Sequence, residues 1–249
     1  MRKKIIFTAG GTGGHILPAI NLMKHFSEKD YKVLLVTDKK GNNFITGSLN
    51  FKSYILKVGT PTNKNIIKKI LSLFIIFYSI IKAFIILKKE KPNLIIGFGG
   101  YVSFPISFAS KFFKLPLIIY ENNMVMGRAN KYLSKFSNKI LLSTNLTKNI
   151  PKSVKKKVYQ VGAILGKNFI NYSKDKNDKD KLFFSILVLG GSQGAEIFGE
   201  VVPPVIKKIK EEGYDIRVNQ QCTIVQKKTI SDYYNKNKIK NYIFEFDKN

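Results

Sequence analysis

In the stretch Ala9-Gly10-Gly11-Thr12-Gly13-Gly14-His15, a histidine follows directly behind a run of glycines. Glycines accept positive φ and let a ligand approach the main chain. A helix starting beyond them presents unpaired N–H groups with partial positive charge, which is a setting for phosphate. His15 falls in the first turn of such a helix, where an imidazole can accept a proton near neutral pH. The same residues also suit a tight connection and a histidine that merely caps or packs, so the loop alone leaves both readings open. No Gly-Lys-Ser/Thr closes the loop and its spacing is not G-x-G-x-x-G, so it is not the nucleotide P-loop.

Two further glycine turns follow apolar runs: Gly97-Phe98-Gly99-Gly100-Tyr101-Val102-Ser103 and Gly190-Gly191-Ser192-Gln193-Gly194-Ala195. Any one of them could be structural. Three of them, each at the carboxyl end of an expected strand, point to main-chain surfaces that face ligands. A fourth turn, Tyr120-Glu121-Asn122-Asn123, precedes the helical stretch beginning Gly127-Arg128-Ala129-Asn130. Glu121 there could orient a base or hold a sugar hydroxyl, and Asn123 could offer an amide. Asn-rich turns also cap helices, so function and capping are both open.

These turns need a scaffold, and the order of signals supplies one. Ile5–Ala9 reads as a strand, a helical pattern runs through Ile16, Ala19, Ile20, Met23 and Phe26, and Tyr31–Thr37 reads as a buried strand. Further strands are expected at Phe51–Val58, Leu94–Gly97, Leu117–Tyr120 and Ile140–Ser143. Strands this apolar, separated by helices, predict a parallel sheet covered on both faces. After Val161-Gly162 the chain turns polar, with Asn171–Lys181 reading as a surface linker. The theme then restarts at Phe183–Leu189, with a helix to about Glu211 and strands near Asp215–Asn219 and Tyr242–Phe246. The expected fold class is α/β, with domains at 1–163 and 164–249 and a second sheet that looks unfinished.

One segment fits this scheme poorly. Ile70 to Leu87 is almost wholly apolar between Lys68-Lys69 and Lys88-Lys89. It barely reaches the roughly 20 residues of a bilayer span, and Lys82 interrupts it. Lys68, Lys69, Ser72, Ser79 and Lys82 share one narrow helical stripe. A buried core helix, a helix that packs on the sheet and shows an apolar patch to a membrane surface, and a true span all remain open. The flanking lysines favour anionic lipid.

Composition narrows the classes. With 43 Lys plus Arg against 16 Asp plus Glu, the net charge is +27, which favours anionic partners. Most of that charge is Lys in a chain also rich in Ile and Asn, so biased base composition explains it equally well. The lysines are spread out and no helix-turn-helix, RNA-binding sheet motif or zinc set accompanies them, so nucleic acid is not an expected partner. A single cysteine, Cys222, excludes an internal disulfide framework and multi-Cys metal sites. Met1-Arg2-Lys3-Lys4 runs straight into a strand, with no secretory signal, so the chain is expected inside the cell.

Taken together, Gly10–His15 with Pro18-Ala19, Gly97–Ser103, Glu121-x-Asn123 with Gly127-Arg128-Ala129-Asn130, and Gly190–Ala195 resemble the MurG family of bacterial glycosyltransferases in order and spacing. The resemblance runs from Met1 to about Phe246. It implies a GT-B fold: a Rossmann-like N-terminal acceptor- and membrane-binding domain with a parallel sheet, and a partial Rossmann-like donor-binding domain. It implies an inverting transferase that moves N-acetylglucosamine from UDP-N-acetylglucosamine to a lipid-linked muramyl-pentapeptide acceptor in peptidoglycan synthesis, at the cytoplasmic face of the bacterial inner membrane. By the same resemblance His15 and Glu121 are the catalytic candidates. Thr12, Gly13, Gly14, Tyr101, Asn123, Ser192, Gln193 and Phe246 are the substrate-binding ones, with no metal and no cofactor.

The chain departs from the family pattern in several places. Tyr120 stands where His is usual, Ala163-Ile164-Leu165-Gly166 where Asn-Pro-x-Arg is usual, and Gln220-Gln221 where His-Gln is usual. The family's later donor-binding helix would fall beyond Asn249. A second reading is therefore a non-catalytic, acceptor- and membrane-binding subunit that works with a separate donor-binding chain.

Overall fold

The computed structural model describes residues 2–45, 51–57, 59, 65–167, 183–191 and 196–245. The polar stretch Asn171–Lys181 lies outside them, as do Ser192, Gln193 and Phe246. The chain divides into two compact units, Met1–Tyr172 and Ser173–Asn249.

In the first unit, strands β1 (Lys4–Thr8), β2 (Lys32–Thr37), β3 (Lys52–Ile55), β4 (Leu94–Gly97), β5 (Leu117–Glu121), β6 (Lys139–Leu142) and β7 (Val158–Gln160) form one sheet. Their order is β3-β2-β1-β4-β5-β6-β7 and every pairing is parallel. From β1 the chain moves outward one way through β2 and β3, then returns to the other side of β1 with β4. The order therefore reverses between β1 and β4, the switch point beside which open α/β sheets bind ligands. β7 has only three residues behind a lysine-rich 3-10 turn at Lys152–Lys157, which is why no sequence periodicity announced it.

Alternate residues of β1 serve opposite layers, as strand geometry requires. Ile5 and Phe7 pack with Ile16, Ala19, Ile20 and Met23 of α1 (Gly13–Glu28). Ile6 packs with Ala83, Ile86 and Leu87 of α3 (Ile66–Glu90) and with Ile106 and Ala109 of α4 (Ser103–Ser110). The described residues of this unit also include the single turn α2 (Lys39–Asn42) and the short helix α5 (Arg128–Leu133).

α3 is oriented with its polarity inverted. Asn65 caps it by accepting from the N–H groups of Ile67 and Lys68. Its inward residues are Ser79, Ala83, Ile86, Leu87 and Glu90, with Ser79 Oγ donating to the Lys57 carbonyl at 2.8 Å. At Ser72 the main chain comes so near Gly59 that a β-carbon on Gly59 would lie 2.3 Å from the Ser72 carbonyl oxygen. Ile66, Ile67, Ile70, Leu71, Leu73, Phe74, Phe77, Tyr78, Ile81 and Ile85 are exposed. The serines of the expected polar stripe thus face the protein, while Lys68 and Lys69 face solvent and Lys82 lies over the Tyr78 ring. Phe84 extends the apolar face by meeting the rings of Phe112 and Phe113, both exposed. The helix is long and apolar enough to cross a membrane by length and composition.

At its far end α3 is clasped to the sheet. Glu90, 6% exposed, accepts from Lys4 Nζ at 2.8 Å, Lys52 Nζ at 2.6 Å and the Tyr54 hydroxyl at 2.5 Å, joining α3 to β1 and β3. Burial alone would raise its pKa, but hydrogen bonds from Lys4, Lys52 and Tyr54 outweigh that and hold the carboxyl at about 2 against its usual 4.5. A carboxylate depressed in the folded state contributes stability that is complete above the unfolded value and is lost as pH falls through the folded one. Stability should therefore decline between about pH 4.5 and about 2. Glu90→Gln should cost about 2 kcal/mol at neutral pH, below the range for a fully buried pair because Lys52 is exposed. It should also flatten that decline. Urea unfolding at several pH values checks both, and an unchanged slope in the variant would contradict the clasp.

The second unit has a parallel sheet of β8 (Phe184–Val188), β9 (Ile216–Gln221) and β10 (Lys240–Phe244), in the order β10-β9-β8. Helices α6 (Glu196–Glu211) and α7 (Lys227–Lys236) contribute Ile206, Ile230 and Tyr234 to a core with Ile216, Val218 and Ile243.

Candidate functional site

In the first unit the sheet order brings three of the singled-out turns side by side at the carboxyl ends of β1, β4 and β5. The register aligns Thr8 with Gly97 and Gly97 with Ile119, so β1 and β4 end level with each other while β5 runs two residues further, to Glu121. The turn after β1 is held open by Asp38, whose Oδ1 accepts from Gly41 N–H at 2.6 Å and Gly11 N–H at 3.4 Å. Gly11 has φ +80°, and Gly10 lies so close to the next turn that a β-carbon there would be 2.5 Å from Val102 Cγ2. Thr12 is extended and its hydroxyl makes no cap hydrogen bond. The first N–H groups of α1, at Gly13 and Gly14, therefore lack a capping side chain and are open to water or a ligand.

His15 leans from this turn onto the next. Side-chain carbons at Gly99 and Gly100 would lie in van der Waals contact with the imidazole, 3.5 Å from His15 Cε1 and 3.5 Å from Cδ2, so the ring packs against this turn, whose positive φ of +90° and +77° favours glycine. The ring is half-buried, and its Nδ1 is buried without a hydrogen-bond partner among the described residues. Burial lowers the His15 pKa from 6.5, with Glu121 opposing, so the imidazole is neutral and basic at neutral pH. Tyr101 follows Gly100 in the same turn and is half-buried.

Glu121 ends β5 and is 1% exposed. Its Oε1 accepts from Asn123 N–H at 3.0 Å and Asn123 Nδ2 at 2.9 Å, and its Oε2 from Gly127 N–H at 2.9 Å and Asn130 Nδ2 at 2.9 Å. Four donors occupy the carboxylate, which leaves it no lone pair aimed at a substrate hydroxyl. Of the roles open from sequence, the geometry fits orienting the turn rather than taking a proton. Asn123 itself is exposed, its amide tied to Glu121.

Several residues with no assigned role prove central. Asn122 Nδ2 donates to the Gly14 carbonyl at 3.3 Å, linking the β5 turn to the start of α1. Tyr120 is buried against Phe98, and its hydroxyl accepts from Ile164 N–H at 3.3 Å and lies 3.2 Å from the Gly162 carbonyl and 3.3 Å from Asn122 Oδ1. The tyrosine that departs from the family pattern is thus a core residue that ties the segment after β7 to the turn after β5. Only its place between strand and turn could have flagged it. Asp38 had a visible signal, an acid just after a strand and before a helical turn.

The glycine turn of the second unit is braced from within that unit. Gln221 Oε1 accepts from Gly190 N–H at 3.1 Å and Gln221 Nε2 donates to the Gly191 carbonyl at 2.7 Å, with Gly191 at φ +72°. Neighbouring Gln220 is fixed by the Tyr234 hydroxyl at 2.7 Å and the Phe198 carbonyl at 3.0 Å. The expected contacts from Ser192, Gln193 and Phe246 fall outside the described residues. Among the described residues no group of three or more His, Cys, Asp or Glu gathers as metal ligands would.

Residues 5–142 match the glycosyltransferase family 28 N-terminal domain and residues 185–249 the glycosyltransferase family 28 C-terminal domain. A protein of Rickettsia bellii named UDP-N-acetylglucosamine--N-acetylmuramyl-(pentapeptide) pyrophosphoryl-undecaprenol N-acetylglucosamine transferase is 33% identical over 249 residues, covering 98% of this chain and 68% of its own length. Its namesake from Rickettsia felis is 35% identical over 251 residues, with 97% and 68% covered. Among solved structures, the crystal structure of Acinetobacter baumannii MurG superposes with a TM-score of 0.71 at 24% identity over 98% of this chain and 68% of that one, which shows a common fold. With both domain matches in sequence order and relatives this similar along nearly its whole length, the chain belongs to glycosyltransferase family 28, in its MurG branch.

Proposed function

We propose that this chain carries out the reaction in its relatives' names, moving N-acetylglucosamine from UDP-N-acetylglucosamine to the muramyl sugar of a pentapeptide-bearing pyrophosphoryl-undecaprenol. The observation that carries the reading is the place of His15, set between two glycine turns at the carboxyl ends of β1 and β4, beside the sheet's switch point.

The transfer is a single displacement with inversion. An acceptor hydroxyl attacks the anomeric carbon as the bond from that carbon to the UDP oxygen breaks. His15 takes the hydroxyl proton, the work of a general base poised near the operating pH. The N–H groups of Gly13 and Gly14 hold the acceptor's pyrophosphate, and Thr12, Tyr101 and Asn123 line its path. On the donor side, the turn braced by Gln221 receives the leaving UDP, with Ser192 and Gln193 supplying polar contacts and Phe246 lying beside the base.

The acceptor is lipid-linked, and the exposed face of α3 suits that. Its isoleucines and phenylalanines enter the interfacial layer while Lys68, Lys69, Lys88 and Lys89 meet anionic headgroups at the cytoplasmic side. Incubating the purified chain with labelled UDP-N-acetylglucosamine and a lipid-linked muramyl acceptor should yield a β-linked disaccharide lipid. If product forms only when a separate donor-binding chain is added, the subunit reading replaces this one. An α-linked product would rule out the single displacement.

A further inference from the structure

Among the described residues, His15 Nδ1 and Asn130 Oδ1 are buried without a hydrogen-bond partner, and both side chains border Gly99. A side-chain carbon on Gly99 would lie 3.1 Å from Asn130 Nδ2 and 3.5 Å from His15 Cε1, so only glycine leaves the space between the two side chains open. The orientation of the Asn130 amide is settled by its neighbours. Its Nδ2 donates to Glu121 Oε2 at 2.9 Å and to the Tyr120 carbonyl at 3.2 Å, both acceptor-only groups. Flipping the amide would set its oxygen against a carboxylate and a carbonyl, so the acceptor end must turn away from them. Asn130 is 1% exposed, so that oxygen has no bulk water to bind.

We propose that Asn130 is the positioning residue of His15: a water held between them accepts the imidazole Nδ1–H and donates to Asn130 Oδ1, and so fixes the tautomer whose Nε2 lone pair takes the acceptor proton. The inference rests on the reading of His15 as proton acceptor. It gives Glu121 a part that its four donors otherwise obscure. Glu121 orients Asn130, Asn130 orients His15, and the carboxylate reaches the reaction through an amide rather than by touching substrate. Glu121 is also the charged group that faces His15 electrostatically. The second-sphere fixing of a histidine tautomer by the group on its other nitrogen is a general device.

The test reads the imidazole itself. The chain has two histidines, so in a His25→Gln background a single imidazole remains for nitrogen-15 NMR. Neutral His15 should carry its proton on Nδ1. Asn130→Ala should move the tautomer ratio toward Nε2–H by about three- to tenfold, the worth of one neutral hydrogen bond. Asn130→Asp should raise the His15 pKa by about one unit or more. A wild-type His15 protonated mainly on Nε2, or a ratio unmoved in Asn130→Ala, overturns the proposal, and the wild-type spectrum alone can do so if the variants fold poorly. In transfer assays Asn130→Ala should lower kcat by about three- to tenfold with KM little changed, and Asn130→Asp should move the acid limb of the pH profile upward. Should the tautomer respond as expected while His15→Ala still transfers at the wild-type rate, the proton-acceptor reading fails and the Asn130–His15 contact stands.

Discussion

His15→Ala should lower kcat for sugar transfer by about 10²- to 10⁴-fold, the range for removing a positioned general base. The fold should survive, because the ring is only half-buried and lies at the start of α1 rather than in the apolar core. Thermal unfolding and steady-state kinetics on the same preparation separate the two effects. The wild-type pH profile carries its own check. Burial depresses the His15 pKa below 6.5, so the basic form persists to lower pH than a free imidazole would allow. Transfer should therefore hold level through neutrality and fall only as pH drops below 6.5, with the fall governed by this group. Full activity in His15→Ala would remove the central residue of the proposed mechanism.

The second large effect is expected on α3. Phe74 and Phe77 are 68% and 64% exposed, so replacing both with serine removes apolar surface from the outside of the molecule without opening a cavity. Inserting a large apolar side chain into a lipid interface is worth about 1.5–3 kcal/mol, so the double variant should bind anionic vesicles about 10²- to 10⁴-fold more weakly. Co-sedimentation with vesicles measures this, and the unfolding midpoint should stay put. Raising salt should weaken wild-type binding only in part, since it screens Lys68, Lys69, Lys88 and Lys89 but leaves the apolar contact. Unchanged binding in the double variant would show that this face meets something other than lipid.

Strands β1, β2, β4, β5 and β6 were legible because each is a compact apolar run ending at small or polar residues, and a parallel sheet buried on both faces demands such runs. β7 was not, since Val-Tyr-Gln after four lysines carries no period. α3 shows the limit of helical projection: the stripe of Ser72, Ser79 and Lys82 was visible, but which way it pointed depended on Gly59 and the Lys57 carbonyl, contacts made by a distant segment.

The glycine turns and His15 could be picked out as chemistry-bearing because their residue types are unusual for plain connections. The division of labour between Glu121 and Asn130 could not, because a carboxylate's role depends on how many donors surround it. That is a tertiary fact. Tyr120 is the converse: a departure from the family pattern that looked like a loss and is a buried anchor with three polar neighbours.

The place of β1 inside an all-parallel sheet, between β2 and β4, has a consequence for synthesis. One flank of β1 pairs with β2 soon after both leave the ribosome, but the other waits for β4, whose partner residues follow by 89 positions in the chain, from Thr8 to Gly97. At about 5–20 residues per second, that flank stays bare for roughly 5–20 s while the greasy α3 emerges beside it. A strand edge left bare for that long is a template for clumping, and slowing translation should worsen the yield.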